Sequence, residues 1–343
     1  MVGKKAFRPL LGLYCAAHFW VDLSCAFLIF RTQTGAETFA LCLLVYNFCA
    51  FALQMPLGLL ADRLDRNGPV AALGCALVAL ACLSPRPLLT AAIAGTGNAL
   101  FHLGGGIDVL NRSGEKAAAL GLFVSPGALG LFLGKRWGGA VSPPLLLAPL
   151  GLLALAAAIL LLSRRCFGPE LRSGNAPVSL ETPSGHGVLI PLFLVVVLRS
   201  YMGMNQSFAW SGGGWATALL FSLVLGKTAG GFLMDRAGVR RASVLSLGLA
   251  AALYLFSALP LPGTLAVFLF NMTMPITLWA AARALPGAKG FAFGLLTFGL
   301  FLGFLPSFLG WGSLLTGPWA YAAGALLSLA LLRLTEGKGA TKC

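Results

Sequence analysis

The stretch LYCAAHFWVDLSCAFLIF, residues 13–30, is apolar at both ends and carries His18 and Asp22 at its centre. Four positions apart on a helix, the two share a face and sit about 6 Å apart along the axis. An imidazole beside a carboxylate can share a proton, pass one on, or pair with it as an ion. The chain keeps other ionisable groups in equally apolar surroundings: His102, Asp108, Arg199 and Lys227. Asn98, Asn205, Gln206 and Asn271 add uncharged polarity. An ionisable group near the middle of a bilayer costs roughly 2.5–3.5 kcal/mol on insertion scales, so such residues face a cavity or a partner.

Each group has its own chemistry. A carboxyl group at that depth costs less neutral than charged, which makes Asp22 the first candidate to carry a coupling proton. His18 relays that proton or tunes Asp22; the alternative for both is a structural pair. Arg199 keeps its proton and needs an anion, either Asp22 or the carboxylate or phosphonate of a solute. His102 suits a ligand contact and a hydrogen bond to a neighbouring helix equally. Lys227 lies two turns before Asp235 and can reach the surface along its own stem. Asn205 and Gln206 follow Gly203, where a helix can bend as a gate moves; interhelical hydrogen bonding is the alternative. Asp108 sits at the end of its apolar stretch and is expected to form a latch with Arg112.

The elements that must position these groups are membrane spans. Of the 343 residues 58% are hydrophobic and 10% charged, where a soluble domain carries about 25% charged residues. The net charge of +14 comes from basic residues in short runs between apolar segments. That distribution orients a multi-span protein and argues against nucleic acid as a partner. Cys15, Cys25, Cys42, Cys49, Cys75 and Cys82 lie inside apolar runs as small hydrophobes. No CxxC or Cys/His cluster has metal-ligand spacing, so neither a metal nor a cofactor is expected beyond a proton gradient. The start, MVGKKAFRPLLGLY, leads into a stretch too long for a cleaved signal and reads as an uncleaved first helix.

Cutting at charge and turn signals gives twelve segments: 8–30, 36–60, 69–85, 88–110, 117–134, 143–163, 188–208, 211–233, 242–260, 263–283, 291–310 and 315–333. Without water to satisfy the backbone, each must be a helix. The 44 glycines point to close helix–helix packing. The polar stretch RRCFGPELRSGNAPVSLETPSGHG, 164–187, separates a bundle over 1–163 from a bundle over 188–343. It is expected to be a flexible cytoplasmic linker, with room for a short surface helix. With the N-terminus inside, only Arg31, Arg86, Lys135 and Arg136 fall outside. The remaining extramembrane basic residues, from Lys4 and Lys5 to Lys338 and Lys342, fall inside, and both termini are cytoplasmic.

The two halves repeat. GLLADRLDRNG (58–68) aligns with GFLMDRAGVRR (231–241). Gly58 matches Gly231, Asp62 matches Asp235 and Arg63 matches Arg236, at the 173-residue offset between Asp62 and Asp235. The same offset pairs Pro87 with Pro260, Asn98 with Asn271, Lys116 with Lys289, Gly121 with Gly294 and Gly130 with Gly303. Both Asp–Arg loops lie on one side of the membrane, so the repeat is parallel. Asp62 and Asp235 end their helices beside Arg63 and Arg236. Such charges can pin neighbouring helix ends in one conformation and release them in another; the plainer alternative is a stop-transfer cluster.

Two six-helix halves with G-x-L-x-D-R-x-G loops after the second and eighth helices resemble the major facilitator superfamily of secondary transporters, over the whole chain. The second loop matches well. The first departs, with Asp65 where the family usually has glycine and Asn67 where a basic residue is common. The resemblance implies an all-α integral membrane fold of twelve helices, with the first, fourth, seventh and tenth lining a central cavity. Those four carry most of the buried polar residues, from His18 and Asp22 through Asn98, His102 and Arg199 to Asn271. More narrowly, HFWVD (18–22) and GTGNALFHLGGG (95–106) resemble motifs of the fosmidomycin-resistance branch. Leu103 and Gly104 stand where that branch has proline and an acid. If that acid carries protons there, this chain couples differently or through Asp22 alone.

LGKTAGG (225–231) lacks the leading glycine of a phosphate-binding loop, having Phe221 instead. No nucleophile–base or metal constellation is visible, so no enzyme is expected. The reading is a proton-coupled secondary transporter of a small organic solute, anionic or amphipathic, working as a monomer in a bacterial inner membrane. A passive uniporter and a non-cycling receptor or channel of the same fold are the alternatives.

Overall fold

A computed structural model describes residues 2–31, 35–114, 116–139, 147–182 and 187–336, without the side chains of 2–6, 313 and 314. Lys338 and Lys342, counted above toward orientation, lie outside the described residues. Most of the described residues are helical, and they form eleven rods. They are α1 (Val2–Arg31), α2 (Ala36–Leu64), α3 (Asn67–Ala81), α4 (Pro87–Arg112), α5 (Ala118–Gly138) and α6 (Leu147–Phe167). The rest are α7 (Leu189–Asn205), α8 (Gly214–Tyr254), α9 (Pro260–Ala284), α10 (Lys289–Phe308) and α11 (Pro318–Glu336). Eight have the length and apolar content to cross a membrane, and α3 and α7 are shorter apolar helices. The protein is an all-α, multi-pass membrane protein.

The expected segments 211–233 and 242–260 fall on the single rod α8, so the described residues form eleven rods where the sequence suggests twelve segments. The division survives as a break at Gly238, which has φ 74° and ψ 164°, a conformation outside the helical range. Elsewhere the boundaries follow local chemistry. Pro87 and Pro260 open α4 and α9 in the first turn, where a missing N–H costs nothing. Asp65 ends α2 in the left-handed region, with φ 51°. That conformation explains why glycine suits this position, and aspartate is one of the few other residues that tolerates it.

The chain divides into two compact units. The first holds Met1–Gly114, Pro126–Val178 and Gly287–Gly294; the second holds Glu115–Ser125, Ser179–Pro286 and Leu295–Cys343. Two short segments therefore group away from the halves expected from sequence: the start of α5 belongs to the second unit and the start of α10 to the first.

Within each unit, glycines set how closely the rods pack. In the first, α5 lies along α1. A Cβ on Gly130, Gly134 or Gly138 would run into the backbone of α1 at Phe19, Leu23 or Phe27. In the second, Gly226 and Gly230 of α8 press in the same way on Phe268 and Met272 of α9. Lipid tails are as apolar as leucine, so close contact of this kind, rather than water exclusion, holds such rods together.

Candidate functional site

His18 and Asp22 share a face of α1, with Nε2 of His18 3.3 Å from Oδ2 of Asp22. Asn98 and His102, four apart on α4, face them. Asn98 donates its side-chain N–H to Oδ1 of Asp22 at 2.8 Å. Nε2 of His102 lies 2.9 Å from Nε2 of His18 and 4.0 Å from Oδ1 of Asp22. Nδ1 of His102 is 2.9 Å from the carbonyl oxygen of Asn98. A carbonyl only accepts, so Nδ1 carries the proton and a neutral His102 turns its Nε2 lone pair toward His18. Two imidazole nitrogens and a carboxylate thus converge, and a proton between the nitrogens satisfies both. His18 is 4% exposed, while the side chains of His102 and Asp22 keep 15% and 18%. The cluster is enclosed but not sealed.

Gly127 supplies the space. A Cβ there would overlap Nε2 of His18 and Oδ2 of Asp22. Glycine abundance alone did not single it out. Its spacing with Gly130, Gly134 and Gly138 was the available signal, a small-residue stripe facing α1.

The Asp–Arg loops hold a second arrangement, made twice. Near the end of α2, Asp62 is 5% exposed. Its carboxylate accepts the backbone N–H of Gly290 at 2.8 Å and of Phe291 at 3.0 Å, at the start of α10. On α8, Asp235 accepts the N–H of Ala117 at 2.6 Å and of Ala118 at 3.1 Å, at the start of α5. Donors and acceptors both obey the repeat, since Gly290 and Phe291 lie as far from Ala117 and Ala118 as Asp235 lies from Asp62. The glycines follow suit. A Cβ on Gly58 would strike Gly290, and one on Gly231 would strike Ala117; one on Gly294 would strike Gln54, and one on Gly121 would meet the carbonyl of Lys227. A helix start presents unpaired N–H groups and a partial positive charge, which a carboxylate satisfies. The neighbouring Arg63 and Arg236 stay exposed, outside these contacts.

Residues 173–175 of the polar stretch expected to be flexible are held against the first loop. Asp65 accepts the N–H of Ser173 at its carbonyl oxygen, 2.9 Å, and the N–H of Asn175 at Oδ1, 2.7 Å. Oδ1 of Asn175 accepts from the side chains of Asn67 at 2.8 Å and Asn111 at 2.9 Å. Lys289 in turn donates to Oδ1 of Asn111 at 2.8 Å. Both departures from the family loop pattern, Asp65 and Asn67, are therefore contacts to this segment.

The remaining candidates make contacts of their own. Arg199 of α7 is 8% exposed and donates to Oγ1 of Thr277 at 3.3 Å. Among the described residues no carboxylate pairs with it. Asn205 donates to the Tyr201 carbonyl and accepts from Ser307, and Gln206 caps the end of α7. Asn271, the repeat partner of Asn98, bonds back to Val267 of its own helix. Lys227 lies on α8 where Gly121 abuts it. Asp108 is fully buried and accepts from the Tyr14 hydroxyl at 2.7 Å, whereas Arg112 lies over the Phe167 ring at 4.0 Å. Among the described residues Asp108 and Arg112, expected as a latch, form no direct ion pair and make these two contacts. A cavity of about 300 Å³ is lined by Phe19, Trp20, Phe27, Trp137 and other mostly apolar residues and holds none of the charged groups.

No protein-family model matches the chain, and no curated protein matches it by sequence. Solved structures do. The fucose:proton symporter FucP of E. coli superposes with TM-score 0.65 at 14% identity, covering 97% of this chain and 99% of that one. A structure of FucP in the outward conformation gives 0.66 at 15% identity, with 96% and 98% covered. The human organic anion transporter MFSD10 gives 0.65 at 16% identity, with 96% and 99% covered. At such identities the likeness is one of fold, and the fold of this chain is that of the major facilitator superfamily transporters.

Proposed function

We propose that this protein is a proton-coupled secondary transporter that moves a small organic solute by alternating access. The observation that carries the proposal is the His18–Asp22–His102 cluster inside membrane-length rods. Ionisable groups are costly there, and Asn98 aligns two of the three. The proton is shared within the cluster in one conformation and given up in the other. Twelve crossings, with α8 counted as two about Gly238, put both termini on the cytoplasmic side of a bacterial inner membrane. Asp62 and Asp235 then clasp the helix starts at that face and release them as the other face closes.

An anionic cargo is the reading for the solute. Arg199 is buried with a hydroxyl as its hydrogen-bonding partner, which leaves most of its guanidinium donors for an anion. A neighbour in fold described as an organic anion transporter lends support. The likeness of HFWVD and GTGNALFHLGGG to the fosmidomycin-resistance branch favours efflux. A thermal-shift screen of metabolites and drugs on purified protein would identify solutes for flux assays in proteoliposomes. Asp22→Asn is expected to abolish accumulation driven by a pH gradient while leaving solute exchange intact. Unchanged gradient-driven transport in that variant would remove Asp22 from the mechanism, and transport that survives a protonophore would favour a uniporter.

A further inference from the structure

We propose that His18, Asp22 and His102 form a binding site for a divalent transition-metal ion of the zinc, cobalt and nickel class. The inference rests on the geometry of the cluster and stands independently of the transport reading. Sequence spacing concealed the site, because two ligands come from α1 and the third from α4.

Three lines of geometry support it. The ligand atoms have the right mutual distances. A tetrahedral ion with bonds of about 2.0–2.1 Å needs ligand atoms roughly 3.3 Å apart. Nε2 of His18 lies 2.9 Å from Nε2 of His102 and 3.3 Å from Oδ2 of Asp22, and one ligand atom from each of the three residues lies within 4.8 Å of the others. The outer contacts are also those a metal site uses. Ligating histidines commonly donate their second ring N–H to a carbonyl, which fixes the tautomer and aims the other nitrogen. His102 does so to the carbonyl of Asn98, and the side chain of Asn98 occupies Oδ1 of Asp22, leaving Oδ2 for the ion. Asn98 thus positions two ligands at once. Finally, Gly127 lets Nε2 of His18 and Oδ2 of Asp22 lie close against the backbone of α5, where a Cβ would displace both ligand atoms.

The donor set selects the metal. Two imidazoles and one carboxylate suit zinc-class ions, whereas magnesium and calcium require a shell of oxygens. Three protein ligands leave a fourth position open to water, and the residual exposure of Asp22 and His102 gives the ion an approach. The ion takes the place of the shared proton, so bound metal excludes bound proton at this cluster.

The test uses full-length protein purified through a tag without histidine and titrated with CoCl2. One Co2+ per chain with the intense visible bands of a tetrahedral ion is expected. His102→Gln and Asp22→Asn should each weaken binding by about tenfold or more. Gly127→Ala should weaken it as well. His186→Ala, which removes the chain's third histidine, should leave it unchanged, and MgCl2 should not compete. X-ray absorption of the zinc-loaded wild type gives a reading that does not depend on how the variants fold. A shell of nitrogen and oxygen with two imidazoles is expected. A sulfur ligand from one of the eight cysteines, affinity indifferent to His102 and Asp22, or no saturable binding would overturn the proposal.

Discussion

The two carboxylate clasps match in sequence and in contacts, yet they differ in burial, so replacing each aspartate by asparagine should have unequal effects. Gly290, Phe291, Ala117 and Ala118 stand at helix starts, where backbone N–H groups have no acceptor within their own helix. The carboxylates are therefore what protects these amides from exchange. In Asp62→Asn one charge-assisted hydrogen bond is lost and an amide N–H is turned toward a backbone N–H. Hydrogen bonds to charged groups contribute about 1.5–3 kcal/mol, and Asp62 is buried, so water offers little replacement. At about 1.4 kcal/mol per tenfold, the closed clasp loses between about tenfold and 150-fold in population. Asp235 is exposed, and water can replace what it loses, so Asp235→Asn should cost about 1 kcal/mol or less, a factor near five. Hydrogen–deuterium exchange read by mass spectrometry on peptides covering 289–292 and 116–119 measures both. Faster exchange by an order of magnitude or more at the first peptide in Asp62→Asn is expected. A several-fold change at the second in Asp235→Asn should accompany it. Equal changes, or unchanged exchange at Gly290 and Phe291, would refute the assignment of these bonds as the clasp.

Three further outcomes follow from particular contacts. Gly127→Ala forces a methyl group against His18 and Asp22 and should destabilise the first unit by about 1–3 kcal/mol, seen as a lower melting temperature; an unchanged melting temperature would mean that α5 can move away from α1 freely. Asn175→Ala removes the acceptor shared by Asn67 and Asn111 and should cost about 1–2 kcal/mol, read as faster exchange and proteolysis across 172–178, where wild-type rates would show that the segment is held by other contacts. Arg199→Gln should remove anionic hits from the thermal-shift screen while neutral ones persist; anionic hits that survive would place the solute elsewhere.

What was legible in the sequence was whatever obeys a period or an offset. Lipid leaves a backbone one way to satisfy its polar groups, so apolar length alone read out the rods. The repeat paired Gly58 with Gly231, Asp62 with Asp235 and Gly121 with Gly294, and these pairs make equivalent contacts at the two helix starts. The partners on the other side, Gly290 and Ala117, were not legible, because a backbone N–H carries no residue-type signal. Asp62 was expected to act with Arg63 through charge; it acts through amides, and Arg63 faces outward.

The cluster on α1 and α4 shows the same limit from another side. Its i,i+4 pairs, His18 with Asp22 and Asn98 with His102, could each be read along one helix, but their meeting could not, because it depends on how close α5 lets α1 lie. Gly127 decides that, and in a chain with 44 glycines nothing in its type sets it apart. The Asn98–Asn271 match carries the same lesson in reverse. One asparagine supports a charged cluster, and its repeat partner folds back on Val267. At this pair the repeat keeps the residue type while the hydrogen-bond partner differs. The two units share their glycine contacts and helix-start clasps but differ in their buried ionisable groups, with a histidine–carboxylate cluster in the first and Arg199 beside Thr277 in the second.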